Sequence, residues 1–491
     1  GGILGVSRRS GLWMDSRGRL EVRRKDSDAE SRWVDVEWHQ GPGSHGMTLE
    51  VSSVQVGMAT AGLRIFDRFF YQTAICKSEI SFADATRGKL FFRGYDMERL
   101  AERSSFLEVA YLLIYGDLPT EREGGEWRRL VMTHTMLHED ILSQMRTFRY
   151  DAHPMGTLIA SLAAMSAFHP EANPMLQGNM NLYQEDESRR NQEIVRILGK
   201  VATIAACAYR VRIGRPFNVP DASGKLDYTE NFLMMLDRLS ESDYRPDPRL
   251  VRILDRIFIA LSDDGMNCAT SFLRHVASSR VDPYMCVASA SGAQYGSRIS
   301  GVGDAVLRML EEIGSVDRVE SFVDLAKQSK RRLQGFGHIN YKAYDPRARV
   351  LRNLALELKS ITAGDPRLDI ALRLEDVVLH DDFFVTRRVF PNVDLFLSVI
   401  ISMMGFPSDF FSAIITIGRT AGWLAQWRET ILDPSNRIHR PRQLYVGHRN
   451  RTYQPILERD KAPNPSNEQH RTLHLQARQS MANYRRVMEE L

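Results

Sequence analysis

From about residue 60 onward, apolar residues recur every three or four positions, the spacing that gathers them on one face of an α-helix. Ser105-Phe-Leu-Glu108 has the form of a capping box, in which the serine and the glutamate each satisfy a free backbone N–H at a helix start. It opens an apolar run from Phe106 to Tyr115 that Gly116 and Pro119 close. The same periodicity predicts helices from Pro154 to about Phe168, and over Ile194 to Arg210, Asp304 to Ile313, Pro346 to Lys359 and Ser408 to Glu429. Before residue 60 the pattern weakens. Around Leu20 to Trp38 apolar and polar residues alternate, which suits a small strand pair. Polar stretches near 169–190, 214–227 and 244–249 break the helical pattern, and no internal repeat is present. After Tyr453 the chain turns polar, with a linker reading DKAPNPSNEQHR and then a short amphipathic helix near 471–491.

The best candidate for a membrane span, Leu158 to Phe168, is far shorter than the ~18–20 residues required and is rich in Ala and Ser. The chain therefore reads as soluble. Its 491 residues, 43% of them hydrophobic, exceed one ordinary compact domain. Lys and Arg number 65 against 61 Asp and Glu, and a net charge of +4 gives nucleic acid little claim as a partner. Cys76, Cys207, Cys268 and Cys286 show no metal-binding spacing and read as reduced, partly buried thiols. Arg8, Arg9, Arg17, Arg19, Arg23 and Arg24 crowd the beginning as in an organellar presequence, although Asp15, Glu21 and Asp26 do not fit one. The closing MEEL is not a peroxisomal address of the Ser-Lys-Leu type.

Several segments, in order, carry a family likeness: Leu90 to Thr120, Asp151 to Pro174, the stretch around Asn231, Met266 to Tyr284, GFGHINYKAYDPR at Gly335 to Arg347, FPNVD at Phe390 to Asp394, and RPRQLYVG at Arg440 to Gly447. On these the chain resembles the citrate synthase family from roughly residue 60 to 455, with the plant-type peroxisomal branch the best likeness. The resemblance implies an all-α fold with minor N-terminal strands, a large helical domain and a smaller one. It places an N-terminal extension at 1–60, the first part of the large domain at 61–280, the small domain at about 281–390, the return of the large domain at 391–455 and a polar extension at 456–491. Leu90 to Thr120 would form an early helical hairpin.

The family joins an acetyl thioester of coenzyme A to oxaloacetate. That chemistry needs a carboxylate base beside a weakly acidic methyl, a donor for the enolate oxygen, a donor for the ketone, and arginines to clamp the dicarboxylate. The resemblance places the base at Asp394, the ketone donor at His338, substrate-binding arginines at Arg347, Arg419 and Arg440, and a coenzyme A phosphate contact at Lys342. Arg440 would reach the neighbouring subunit's site. Read without the family, an aspartate ahead of a helix is often a cap, and arginines at helix ends usually pair with carboxylates.

Two family histidines are missing. The enolate-stabilising position is Ile299, and loss of such a donor costs ~10²–10³ in rate. The oxaloacetate-binding position is Asp264. A carboxylate there sets a like charge against a dianion, worth about 4 kcal/mol at ~4 Å and an effective dielectric near 20, unless it protonates with a raised pKa. Ile339 stands where the family usually has Arg. His275 reads as structural, His439 as a remote substitute from a partner subunit, and His470 and His474 as surface residues. The expectation is thus a catalytically impaired paralogue, a homodimer or a dimer with a related chain, serving as a structural or accessory subunit of a larger mitochondrial assembly. It binds no cofactor tightly, a coenzyme A thioester being the ligand to expect. The alternative is an active acyl-CoA condensing enzyme for oxaloacetate or another 2-oxo acid, with a peroxisomal address as the alternative compartment. A ligand-binding sensor ranks third.

Overall fold

A computed structural model describes residues 70, 73–362, 364–441, 443, 447, 448 and 450–459, together with the backbone of five short strands between residues 12 and 50. Contacts divide the chain into one unit spanning Gly1–Arg440 and another spanning Pro441–Leu491.

In the first unit, β1 (Leu12–Met14), β2 (Leu20–Val22) and β3 (Arg32–Val34) form an antiparallel sheet, and β4 (Glu37–His39) pairs with β5 (Thr48–Glu50). The strand pair expected over Leu20 to Trp38 is therefore real between β2 and β3, but each end of the segment has a further partner. A third sheet, β6 (Ser81–Asp84), β7 (Lys89–Phe92) and β8 (Tyr95–Asp96), corrects the expected helical beginning of Leu90 to Thr120. The alternation of buried Leu90 and Phe92 with half-buried Lys89 and Phe91 is a strand pattern, and Gly94 at φ 90° makes the turn into β8.

Eighteen α-helices follow among the described residues: α1 (Met97–Arg103), α2 (Phe106–Tyr115), α3 (Glu121–Thr133), α4 (Glu139–Arg146), α5 (Pro154–Phe168), α6 (Leu182–Glu185), α7 (Glu187–Arg212), α8 (Tyr228–Asp237) and α9 (Pro248–Leu261). The series continues with α10 (Cys268–Ala277), α11 (Pro283–Gln294), α12 (Gly301–Ile313), α13 (Val319–Gln328), α14 (Pro346–Lys359), α15 (Pro366–His380), α16 (Asp382–Thr386), α17 (Val393–Met403) and α18 (Phe411–Leu432). The fold is all-α with minor strands, as expected. Their starts are chemically marked. Capping boxes open α2, α3 and α8. An Asp N-cap followed by Pro opens α9, α11, α14 and α15. Asp186 caps α7, so that helix begins earlier than its apolar periodicity suggests.

The core is centred on α18, whose Trp423 and Trp427 are fully buried. It packs on α2, α7, α9, α10 and α11. Two of its glycines permit this. A Cβ on Gly418 would lie 2.9 Å from the Phe258 carbonyl oxygen, and one on Gly422 would collide with that of Ser262. The bare backbone instead lets the Gly422 N–H donate to the Ser262 carbonyl at 3.2 Å. The four cysteines are free, Cys207 and Cys286 buried, Cys76 half-buried and Cys268 exposed. No helix among the described residues is long and apolar enough to cross a membrane, and none of those residues form a group of three or more able to hold a metal ion.

Within the second unit, the Arg459 Nε donates to the Gln454 carbonyl at 3.0 Å and its guanidinium lies over the Tyr453 ring. The linker from Asp460 and the helix expected near 471–491 lie outside the described residues.

Candidate active site

Close contact between α9 and α18 sets the first wall. Where α9 ends, Ser262-Asp263-Asp264 turns against Gly422 and Arg419. Gly265, at φ 80°, makes the bend that leads into Asn267, the N-cap of α10. Asp263 is fully buried. Its Oδ2 accepts from the Ser81 hydroxyl and from the Gly265 N–H at 3.0 Å, while its Oδ1 has no partner among the described residues.

The second wall is two loops zipped together. The Gly337 N–H donates to the Phe390 carbonyl at 2.7 Å, the Asn392 N–H to that of Gly335 at 2.9 Å, and the Asn392 Nδ2 to that of Gly337 at 2.8 Å. Gly335 sits at φ 78°, and a Cβ there would be 2.9 Å from the Leu395 Cα. This zipper brings His338 to the start of α17, whose first turn carries Asp394. Asp345, buried at the start of α14, ties both walls: its Oδ2 accepts from the Val393 N–H at 3.3 Å and from Arg347 Nη2 at 2.8 Å.

Arg347, 1% exposed, is the hub. Its Nε donates to Asp345 Oδ1 at 3.1 Å and its Nη1 to Asp264 Oδ2 at 2.9 Å. Arg419 Nη1 takes the other oxygen of Asp264, which also accepts from the Asn267 amide. The Asp264 carboxylate thus bridges the two buried arginines. Burial pushes its pKa up, but the guanidiniums of Arg419 and Arg347 overcome that and hold it below the usual carboxylate range. The expectation of a bare charge, or of one escaping by protonation, is corrected: Asp264 is ionised and internally neutralised.

His338 Nδ1 accepts from the N–H groups of Asn340 at 3.2 Å and Tyr341 at 3.4 Å. Backbone donors thus face Nδ1, and the Arg347 guanidinium, which can only donate, faces Nε2 at 3.2 Å. Burial, and then the Arg347 cation, lower the pKa of the ring, so it stays neutral. The Asp394 carboxylate takes no hydrogen bond among the described residues. Burial raises its pKa to about 6, against the pull of Arg347. Such a group is poised as a base near neutrality.

Of the residues singled out in the sequence, Asp264, His338, Arg347 and Arg419 form one network, and Asp394 lies within reach of its charges. Three others stand apart. Ile299 is 38% exposed on the turn between α11 and α12. Lys342 is exposed and attached through its backbone N–H to the Ala85 carbonyl at 2.9 Å. Arg440 is exposed and makes no hydrogen bond or ion pair among the described residues. His275 and His439 stack edge to face on one another, and the His439 N–H donates to Ser278 Oγ at 3.0 Å, away from this network. Asp345, Asp263, Asn267 and Tyr341 belong to the site but were missed. The DPR triplet held the signal for Asp345, because an aspartate two residues before an arginine at a helix start can cap and pair with it at once.

Fold and site together define a class: an almost wholly helical protein built around a buried arginine–carboxylate–imidazole cluster. The family model "Citrate synthase, C-terminal domain" matches residues 69–442. This chain belongs to the citrate synthase family. A Dictyostelium discoideum protein named citrate synthase is 51% identical over 407 residues, covering 83% of this chain and 79% of the relative. A glyoxysomal citrate synthase of Cucurbita maxima is 44% identical over 410 residues, 84% of this chain and 79% of the relative. Among solved structures, citrate synthase from Pyrobaculum aerophilum aligns with a TM-score of 0.73 at 30% identity, over 86% of this chain and 98% of that one. The ternary complex of the Thermoplasma acidophilum enzyme with carboxymethyl coenzyme A and oxaloacetate aligns at 0.70 and 26%, over 79% and 97%.

Proposed function

We propose that the chain is a working, slowed condensing enzyme that joins an acyl thioester of coenzyme A to a 2-oxo acid. One observation carries this reading. A carboxylate with a pKa raised to about 6, Asp394, stands at the same cluster as a histidine held neutral by burial and by Arg347, His338. Asp394 would take a proton from the carbon beside the thioester carbonyl. The resulting enolate carbon would attack the ketone, whose oxygen accepts the hydrogen bond of His338. Water then breaks the C–S bond, and the coenzyme leaves as the thiol.

Arg419 orients the acid through the edge that carries its unpartnered Nε, Arg347 fixes Asp264, and Arg440 acts on a second copy of the chain in a homodimer. Lys342 meets the coenzyme phosphates. The division into large and small domains near residues 280 and 390 is part of the proposal. Relatives named peroxisomal and glyoxysomal favour a peroxisomal address over a mitochondrial one. Ile299 offers the enolate oxygen no donor, so turnover is slower than with a histidine by ~10²–10³.

A second reading, a scaffold subunit without turnover, is favoured by Ile299 and by the closure of both arginines on Asp264. The purified full chain decides between them, with acetyl-CoA and a panel of 2-oxo acids and with free thiol followed by a colorimetric reagent. Release that falls by ~10²–10⁴ in Asp394→Asn establishes the condensing reading. Release no faster than without protein, across the panel, leaves the scaffold.

A further inference from the structure

The arginine clamp is already half occupied. Asp264 presents one oxygen to Arg347 and the other to Arg419, which is how a bound carboxylate would span the two guanidiniums. With Asp345 taking the remaining edge of Arg347, two cations face two carboxylates and no net positive charge is left between them.

The unclaimed donors are few. Arg419, 6% exposed, has an Nε without a partner, and its Nη2 makes no hydrogen bond among the described residues. Tyr341, 3% exposed, has a hydroxyl without a partner, and its ring lies 5.0 Å from the His338 ring and 5.8 Å from the Arg347 guanidinium. One guanidinium edge and one hydroxyl are enough for a single carboxylate. Buried donors of this kind are costly when left unsatisfied, which gives such a carboxylate a reason to bind.

From this we infer that Asp264 is a built-in stand-in for one substrate carboxylate, and that the pocket selects 2-oxo acids carrying only one carboxylate of their own. The inference rests on the condensing reading above and narrows its substrate class. Charge argues the same way. A substrate carboxylate brought beside Asp264 and Asp345 meets like charge, so the best-matched substrate carries the fewest carboxylates the reaction allows.

The reaction is balanced without any further reagent. The carbon beside the thioester carbonyl loses its proton to Asp394 and forms the new C–C bond to the ketone carbon. The ketone oxygen gains a proton to become a tertiary hydroxyl. Water then supplies the OH that replaces sulfur and the proton that leaves with the thiol. With pyruvate and acetyl-CoA the product is a 2-methyl-2-hydroxy dicarboxylate.

Pyruvate and freshly dissolved oxaloacetate differ by the one carboxylate in question. Thiol release with wild-type protein is expected to give a higher kcat/KM for pyruvate. In Asp264→Asn and Asp264→His the ratio is expected to swing toward oxaloacetate by roughly a hundredfold or more, the scale of one like-charge contact in a partly buried site. Equilibrium dialysis of the two labelled acids against wild-type protein reads the same preference without turnover and without relying on a variant that folds. Tighter binding and faster use of oxaloacetate by the wild type overturns the inference while the condensing reading stands. Tighter binding of pyruvate with no thiol release supports the pocket assignment and removes the condensing reading instead.

Discussion

Two regions that the sequence singled out are built in different ways. On the His338–Asp345–Arg347 side the charged groups Asp264, Asp345, Arg347 and Arg419 pair with one another, and the loops carrying His338 and Asp394 are zipped by backbone hydrogen bonds. On the Ile299 side the segment is a surface turn. Ser297 and Arg298 are exposed, Ser300 makes no side-chain cap for α12, and the turn is tied mainly by the N–H groups of Ile299 and Ser300 donating to the Gly296 carbonyl at 2.8 and 2.9 Å. The first side can change only as a set, because each charge neutralises another. The second can lose or regain a side chain with little consequence for the fold. Asp264 belongs to the first kind, its charge taken up in ion pairs with Arg347 and Arg419.

The largest test of that contrast is Asp264→Asn. Removing the carboxylate leaves Arg347 and Arg419 without the group that bridges them, and breaking a buried pair by removing one partner costs about 3–5 kcal/mol. Denaturant unfolding should show a loss on that scale. A loss below about 1 kcal/mol would mean that the bridge is not an energetic unit. The pH dependence has a definite sign. Because the folded pKa of Asp264 is depressed, its contribution is fully present above the ordinary carboxylate range and is lost as pH falls toward the folded value. In Asp264→Asn that acid sensitivity should diminish.

Next in size is Ile299→His. Placing an imidazole on the surface turn should raise thiol release by ~10²–10³ if the other donors are in place, and should leave stability within about 0.5 kcal/mol of wild type. A gain in rate accompanied by a large stability change would break the distinction between the two sides. No gain in rate would place the missing donor elsewhere.

This contrast also explains what the sequence could and could not say. Helix starts were legible where they are local chemistry: the Ser105 and Glu108 box opens α2, and α14 runs from Pro346 to Lys359 as its periodicity requires. The hairpin of β6 and β7 was not, because Leu90-Phe-Phe is a short apolar run that fits helix or strand equally. Family motifs marked His338, Arg347, Arg419 and Asp394. They could not show that Asp264 pairs with arginines 83 and 155 residues further along, and so its charge was read as unopposed. That pairing depends on Gly418 and Gly422 bringing α18 against the end of α9, a contact no local pattern announces.

The smallest expected effect is the shape of the pH profile, and it isolates Asp394 within the well-held side. Burial lifts its carboxyl to about 6 while His338 remains neutral, so kcat/KM should rise about tenfold per pH unit up to about 6 and flatten above. Stability should move the opposite way over the same window. A carboxyl whose folded pKa lies above its unfolded value favours the folded state when protonated, and that contribution fades as pH rises from the ordinary carboxylate range through about 6. Asp394→Asn should therefore flatten both curves at once, one by removing the base and the other by removing the ionisation that burial opposes. A rising limb of activity centred near 4 would show that Asp394 is solvated, and would remove the reason for reading it as a tuned base.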